Sequence, residues 1–269
     1  MSDSVLQHLR ACRIDTAGGK LRTTQEDFCA VAEAALTVDV EGVESFTFLC
    51  TPCDEEALAA GFLLTEGLID KPGDLLSVKR CPRDAHTMRV KIGGRSERIG
   101  DESRNLLISS SCGLCGAEVI EKRLRALPRV GDSLRLGAPA LAAMMEDLSR
   151  AQELFPRCGA THAAAVFDAG GRRLAAAEDA GRHNALDKAI GKCLLGGIPT
   201  AGCAVALSGR VTVEMVGKCA RAGLEIVAAI SAPTALGLEV AERCGITVCA
   251  FVRQTRATVL THPQRILGL

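Results

Sequence analysis

The chain has 269 residues, 48% of them hydrophobic and 24% charged, with Lys+Arg and Asp+Glu both at 32 and with neither Trp nor Tyr. Such a composition belongs to a soluble globular protein with room for one large domain or two unequal ones. It excludes a net basic field for nucleic acid, offers few aromatic platforms for stacking bases, and contains no apolar run long enough to span a membrane.

The N-terminus, MSDSVLQHLRACRID, lacks the apolar centre of a signal peptide, so a cytoplasmic location is expected. Residues 1–28 read as a tail and residues 29–110 as a small α+β domain. AEAALTVDV and SFTFLCT predict a hairpin around EGVE. TPCDEEALAAGFLLTEG predicts a helix with Asp54 as cap, Glu55 and Glu56 in the first turn and Gly67 at the end. MRVKI and NLLISSS predict further strands. Residues 111–157 form a Cys-x-x-Cys loop followed by helical runs, AEVIEKRLRAL and LAAMMEDLSRAQELF.

Residues 158–269 change to regular α/β alternation. THAAAVF and RRLAAAE pair around DAGG, and GCAVALS, LEIVAAIS and ITVCAFVR are strands separated by helices that end at Gly223 and Gly245. Short apolar strands joined in this way predict a largely parallel sheet covered on both faces.

Ligands of such sheets bind beyond the carboxyl ends of the strands. Those ends deliver Asp179, Arg182, His183 and Asn184, then Ser208 and Arg210, then Ser231 and Thr234, then Arg253 and Arg256. Three of the four ends lead into a helix, whose first N–H groups favour an anion, and arginine forks suit phosphate oxygens. Each feature also has a plainer reading: SAPT as a helix start, His183 as a satisfied polar residue, the arginines as solvated surface. Their coincidence points to a phosphate-bearing small molecule, although no GxGxxG or P-loop is present.

Thirteen cysteines without a signal peptide do not read as a secreted disulfide framework. Cys193, Cys203 and Cys249 lie in apolar runs and read as small hydrophobes. Cys112 and Cys115, in SSSCGLCG, have a polar, glycine-rich setting that burial does not explain. Zinc needs four ligands; Cys50 and Cys53 supply a second pair on paper, but CTPC also reads as a helix start. The chain has no HxE for a zinc deaminase. Between dithiol exchange and sulfur carriage the residues alone leave a tie.

EDAGRHNALDKAIG, the run from SGRVTVEMVGKC to CAFVR, THPQRI, SCGLCG and CTPCDEEALAAGFLLTEGLI together resemble the formate dehydrogenase accessory sulfurtransferase family over residues 30–266. The resemblance implies a cytidine-deaminase-like three-layer α/β C-terminal domain with a smaller α+β N-terminal domain, used without deaminase zinc chemistry and with no metal site of its own. It implies a persulfide on Cys112, assisted by Cys115, filled by a cysteine desulfurase. The sulfur would pass to the molybdenum or tungsten bis-guanine-dinucleotide cofactor before insertion into apo formate dehydrogenase. The family's cofactor segment matches Phe251, Val252, Arg253, Gln254, Thr255 and Arg256; with Arg182, His183, Asn184, Ser208, Arg210, Ser231 and Thr234 these form the expected cradle, for which a guanine nucleotide would be a mimic. Homodimers are implied too. Cys53 stands where the family pattern is variable and often polar, so CTPC reads as an accident of a cysteine-rich chain. The rival reading is a non-catalytic chaperone that binds the cofactor and docks on the apo-enzyme.

Overall fold

The computed structural model describes residues 5–93, 121–122 and 124–269. The strand expected at NLLISSS and the Cys-x-x-Cys loop lie outside the described residues, as do residues 117–120 and 123 of the helix expected over residues 117–127.

The chain opens with a ribbon that the sequence reading did not anticipate. Strands β1 (Leu6–Asp15) and β2 (Arg22–Val31) pair antiparallel over ten positions. Nearly all of its residues face solvent, so neither strand shows the apolar alternation that a half-buried strand requires. Among the described residues only its root is anchored, by Val5 and Leu6 against Leu154.

Strands β3 (Ala34–Val40) and β4 (Ser45–Cys50) form the expected hairpin. They join β5 (Leu75–Cys81) and β6 (Asp84–Ile92) in a sheet of order β4-β3-β6-β5. LLSVKRC, which forms β5, gave no strand signal strong enough to be read. Helix α1 (Glu55–Thr65) covers this sheet, with Phe62 against Phe46 and Phe48 at centroid distances of 5.2 and 4.6 Å. Asp54 stands at the N-cap but makes no side-chain cap bond. Its backbone is left-handed (φ 52°) and its carboxylate pairs with Lys192 at 2.6 Å. Gly67, at φ +75°, turns the chain out of the helix as expected.

Strand β7 (Leu136–Gly137) and helix α2 (Ala138–Ala151) follow. The helix stops short of the expected Phe155. The Glu178 carboxylate accepts the backbone N–H groups of Glu153, Leu154 and Phe155 at 2.6 to 2.9 Å, and so starts a separate turn, α3 (Phe155–Cys158).

The second large sheet contains β8 (His162–Phe167), β9 (Arg173–Asp179), β10 (Ala204–Leu207), β11 (Ile226–Ala229), β12 (Thr247–Ala250) and β13 (Thr258–Val259), in the order β13-β12-β11-β10-β8-β9. Its connecting helices are α4 (Arg182–Leu195), α5 (Val213–Arg221) and α6 (Ala235–Cys244). A last strand, β14 (Ile266–Leu267), pairs with β7. The expectation of a largely parallel sheet needs correcting. Of its pairings only β10–β11 and β11–β12 are parallel, because the turn at Gly171 (φ +76°) folds β8 and β9 into a hairpin and β10 then pairs with β8. Strands β9, β10, β11 and β12 still share one direction, and β8 runs against them.

Alternate residues of this sheet bury on opposite faces, giving three layers. Ala164, Val166, Val205 and Val227 face α4, α5 and α6, whereas Ala165, Phe167, Ala206 and Ala228 face α2. The first core continues without a break through α1 into the β3–β6 sheet. Glycines permit that continuity: a Cβ on Gly61 would stand 1.9 Å from the Asp187 carbonyl oxygen, and one on Gly191 would stand 1.8 Å from that of Ala57. Helices α1 and α4 therefore cross backbone to backbone.

Candidate functional site

The shared direction of β9 to β12 brings their carboxyl ends to one edge of the sheet, and the first residue of the opposed strand β8 arrives there too. Asp179 closes β9. It is fully buried, forms an ion pair with Lys188 at 2.6 Å, and accepts from the N–H of Thr51 and Gly181 and from Asn184 Nδ2. A buried charge persists only when paired and hydrogen-bonded, and here the bonds also fix the turn that starts α4. Asn184 also donates to the Leu49 carbonyl, tying this turn to the end of β4.

The other ends add their groups around it. Ser208 Oγ accepts from the Ala163 N–H at 2.8 Å and lies 3.4 Å from His162 Nδ1. Gly209 leaves room between Arg182 and His162: a Cβ there would be 3.4 Å from each. Thr234 caps α6 by accepting from the Gly237 N–H, so its plainer reading as a helix start is what its hydroxyl does. Arg253 is exposed. Its Nη1 donates to the carbonyls of Ile230 and Val252 and its N–H to that of Arg256, which folds residues 251–256 back over the SAPT turn. Gln254, Thr255, Arg256 and Arg210 are exposed, Ser231 is half-buried and Val252 is buried. Phe251 combines 44% exposure with φ +51°, an uncommon backbone state for a bulky residue and one that clusters at ligand sites.

Three buried polar atoms at this edge have no hydrogen-bond partner among the described residues: Arg182 Nε, His183 Nε2 and Thr212 Oγ1. His183 Nε2 does lie 2.7 Å from Glu214 Oε2, close enough for an ion pair but off-axis for a hydrogen bond, and Arg182 reaches the same oxygen at 3.9 Å. The His183 contact holds the Glu214 carboxyl below its usual range, against burial, which pushes it up; the charges of His183 and Arg182 reinforce the lowering. His162 is pushed below the usual histidine range, first by burial and then by the charges of Arg182, His183 and Arg210. The edge is therefore a cationic, part-desolvated surface with donors unspent, next to the starts of α4, α5 and α6. Phosphate oxygens are the acceptors that such a surface fits.

Every cradle residue expected from the sequence lies on or beside this edge, although Val252 is buried and several hydroxyls serve local structure. Cys112 and Cys115 lie outside the described residues. The sequence reading missed His162, Thr212 and Glu214. His162 begins a strand, and only the antiparallel placement of β8 turns that beginning toward the edge where the carboxyl ends of β9 to β12 gather. Thr212 and Glu214 follow SGR by a few residues, where a helix start after β10 was the available signal.

Cys193, Cys203 and Cys249 are buried, and burial pushes the thiols of Cys193 and Cys249 up to about 11 and about 12. Cys50 is buried as well, and its thiol is pushed up to about 12 by burial, against the nearby Lys188. Cys53 is half-buried with Lys188 Nζ 3.8 Å from its sulfur, and burial outweighs that ammonium to push its thiol up. Among the described residues no group of three or more His, Cys, Asp or Glu side chains is placed to hold a metal ion.

The FdhD/NarQ family model matches residues 31–267. A sulfur carrier protein FdhD from Bordetella bronchiseptica is 39% identical over 264 residues, 96% of this chain and 95% of the relative. One from Thermoplasma acidophilum is 37% identical over 244 residues, 87% of this chain and 86% of the relative. A crystal structure from Desulfotalea psychrophila, of a protein described as a formate dehydrogenase accessory protein, superposes with a TM-score of 0.76 at 26% identity, covering 97% of this chain and 99% of that one. With a family model that matches residues 31–267 and relatives 37–39% identical over most of its length, the chain belongs to the FdhD/NarQ family.

Proposed function

We propose that the protein is a sulfurtransferase that carries sulfane sulfur on Cys112 and delivers it to a molybdenum or tungsten bis-guanine-dinucleotide held as substrate at the sheet edge. The observation that carries this reading is the cationic edge itself, where Arg182 Nε, His183 Nε2 and Thr212 Oγ1 are buried with no hydrogen-bond partner among the described residues, beside three helix starts. A dinucleotide supplies the phosphates those donors lack. The names of the relatives, sulfur carrier proteins, supply the direction of the chemistry. The three-layer scaffold corresponds, in this reading, to a cytidine-deaminase-like domain without the deaminase zinc site.

The steps balance with thiols alone. The Cys112 thiolate takes the outer sulfur of a cysteine desulfurase persulfide and releases the desulfurase thiolate. Attack of the Cys115 thiolate on Cys112 then forms the Cys112–Cys115 disulfide and expels hydrosulfide, so the sulfane sulfur gains the two electrons that the dithiol loses. Arg182, Arg210, Arg253 and Arg256 hold the phosphates while this happens, and the finished substrate passes to apo formate dehydrogenase. The working unit is a homodimer, which light scattering on the purified protein checks.

Cys112→Ala separates this reading from that of a passive cofactor chaperone. The expected variant binds GDP as the parent does but leaves formate dehydrogenase inactive in a complemented deletion strain. Full formate dehydrogenase activity from that variant would contradict sulfur carriage.

A further inference from the structure

Three half-buried thiols gather at the root of the β1–β2 ribbon. Cys29, Cys53 and Cys158 pack against one small apolar cluster formed by Val5, Leu6 and Leu154. Their setting differs from that of Cys193, Cys203, Cys219 and Cys244, which belong to the main core, and of Cys249, which lies in the core against α2. Thiols sunk in a core are out of reach of a reagent, whereas a half-buried one can be approached.

Cys29 and Cys158 come to the cluster from different parts of the fold. In the ribbon Leu6 pairs with Val31 and His8 with Cys29, so Leu6, Val31 and Cys29 share one face, the face that lies on Leu154. Cys158 stands one helical turn after Leu154, and its Sγ donates to the Leu154 carbonyl at 3.2 Å. Strand β2 and the turn α3 touch directly. One thiol therefore rides on the ribbon. The other sits on a turn that the Glu178 carboxylate holds against β9 through the N–H groups of Leu154 and Phe155. Cys53 belongs to the body as well, but its sulfur faces Lys188 Nζ at 3.8 Å and burial pushes its thiol up.

We propose that Cys29 and Cys158 are a redox-controlled pair whose disulfide staples the ribbon to the body, with a small-molecule disulfide as the oxidant. The Cys29 thiolate attacks the oxidant, forms a mixed disulfide and releases one small thiol. The Cys158 thiolate then attacks the Cys29 sulfur, closes the protein disulfide and releases the second. The two electrons and two protons that the protein thiols give up leave on the two small thiols, and a small dithiol reverses the exchange. The ribbon is the element on which such a bond acts most, since its strands are nearly all wet and an isolated hairpin is marginal in water. The inference is independent of the sulfur chemistry assigned to Cys112.

The test incubates the reduced whole protein with oxidised glutathione, digests it without reductant and reads the peptides by mass spectrometry. Tm is measured on the parent and on Cys158→Ser, each before and after oxidation. The Cys29 peptide should appear joined to the Cys158 peptide, and dithiothreitol should separate them. Exposed Cys12 should carry glutathione in both proteins, which shows that the oxidant has acted. Oxidation should raise the Tm of the parent by about 5–10 °C more than that of Cys158→Ser, because the bond closes a long loop of chain. Should Cys158→Ser fail to fold, Cys29→Ser replaces it with the same expected outcome. Cys29 and Cys158 left as free thiols or capped separately by glutathione while Cys12 is modified, or either of them joined to Cys53, overturns the proposal. A joined peptide with no difference in Tm between parent and variant overturns the staple.

Discussion

His162 and Arg182 share the sheet edge across Gly209, and their proximity sets how the site responds to pH. His162 titrates below an ordinary histidine because burial and three cations disfavour its charged form. The sign follows: the unfolded chain binds the proton first, so this residue's stabilising contribution is complete above about pH 6.5 and declines as pH falls toward its folded value. A bound diphosphate reverses the environment by supplying negative charge. The His162 ring signal in NMR should therefore titrate low in the free protein and shift upward with pyrophosphate, and pyrophosphate should bind more tightly at pH 6 than at pH 7.5. A titration unaffected by pyrophosphate would place the anion elsewhere. Glu214 acts in the other pH range. Its carboxyl is lowered, so its contribution is present above the usual carboxylate range and is lost as acid protonates it. At this scale residue type and a helix start were enough to single out Arg182, His183 and Asn184 from the sequence, and the structure sets all three at the start of α4, on the sheet edge. It was silent about His162, whose place depends on which way one strand runs.

Helix α1 is fastened to the sheet unit by shape and by charge. The shape term is the crossing at Gly61 and Gly191, where an added Cβ would press on the facing backbone. Gly61→Ala or Gly191→Ala should lower unfolding free energy by about 1–3 kcal/mol or more, measured by urea denaturation, because backbone cannot move aside as a side chain can. The charge term is Lys218, bound to Asp187 at 2.8 Å and Glu66 at 2.9 Å in a buried setting. Those partners hold its ammonium above the usual lysine range although burial alone pulls it down. Lys218→Met leaves Asp187 buried and unpaired and should cost about 3–5 kcal/mol. The double variant Lys218→Met/Asp187→Leu should recover part of that loss. The amphipathic helices and the β8–β9 hairpin were readable because one face of each is buried and its period is visible. Strands β1 and β2 were not, since a ribbon wet on both faces has no burial period to show.

Taken whole, the molecule sets a cationic edge where the two sheets meet through α1 and α4. The α/β alternation after Cys158 was enough to find that edge from sequence, because loops after co-directional strands gather at one end whatever the strand order. The mixed strand order itself was not legible, since a hairpin and a crossover give the same local pattern. The choice between redox pair and carrier arm for Cys112 and Cys115 came from the family pattern, as the chemistry of SSSCGLCG suits both. The most direct measurement is mass spectrometry of the protein after incubation with a cysteine desulfurase and cysteine. In a Cys115→Ala variant, which cannot discharge the persulfide, the account requires the mass of one added sulfur atom on the Cys112 peptide, removed by reductant and absent when Cys112 is replaced by alanine as well. An unmodified Cys112, or sulfur found only on another cysteine, would contradict it.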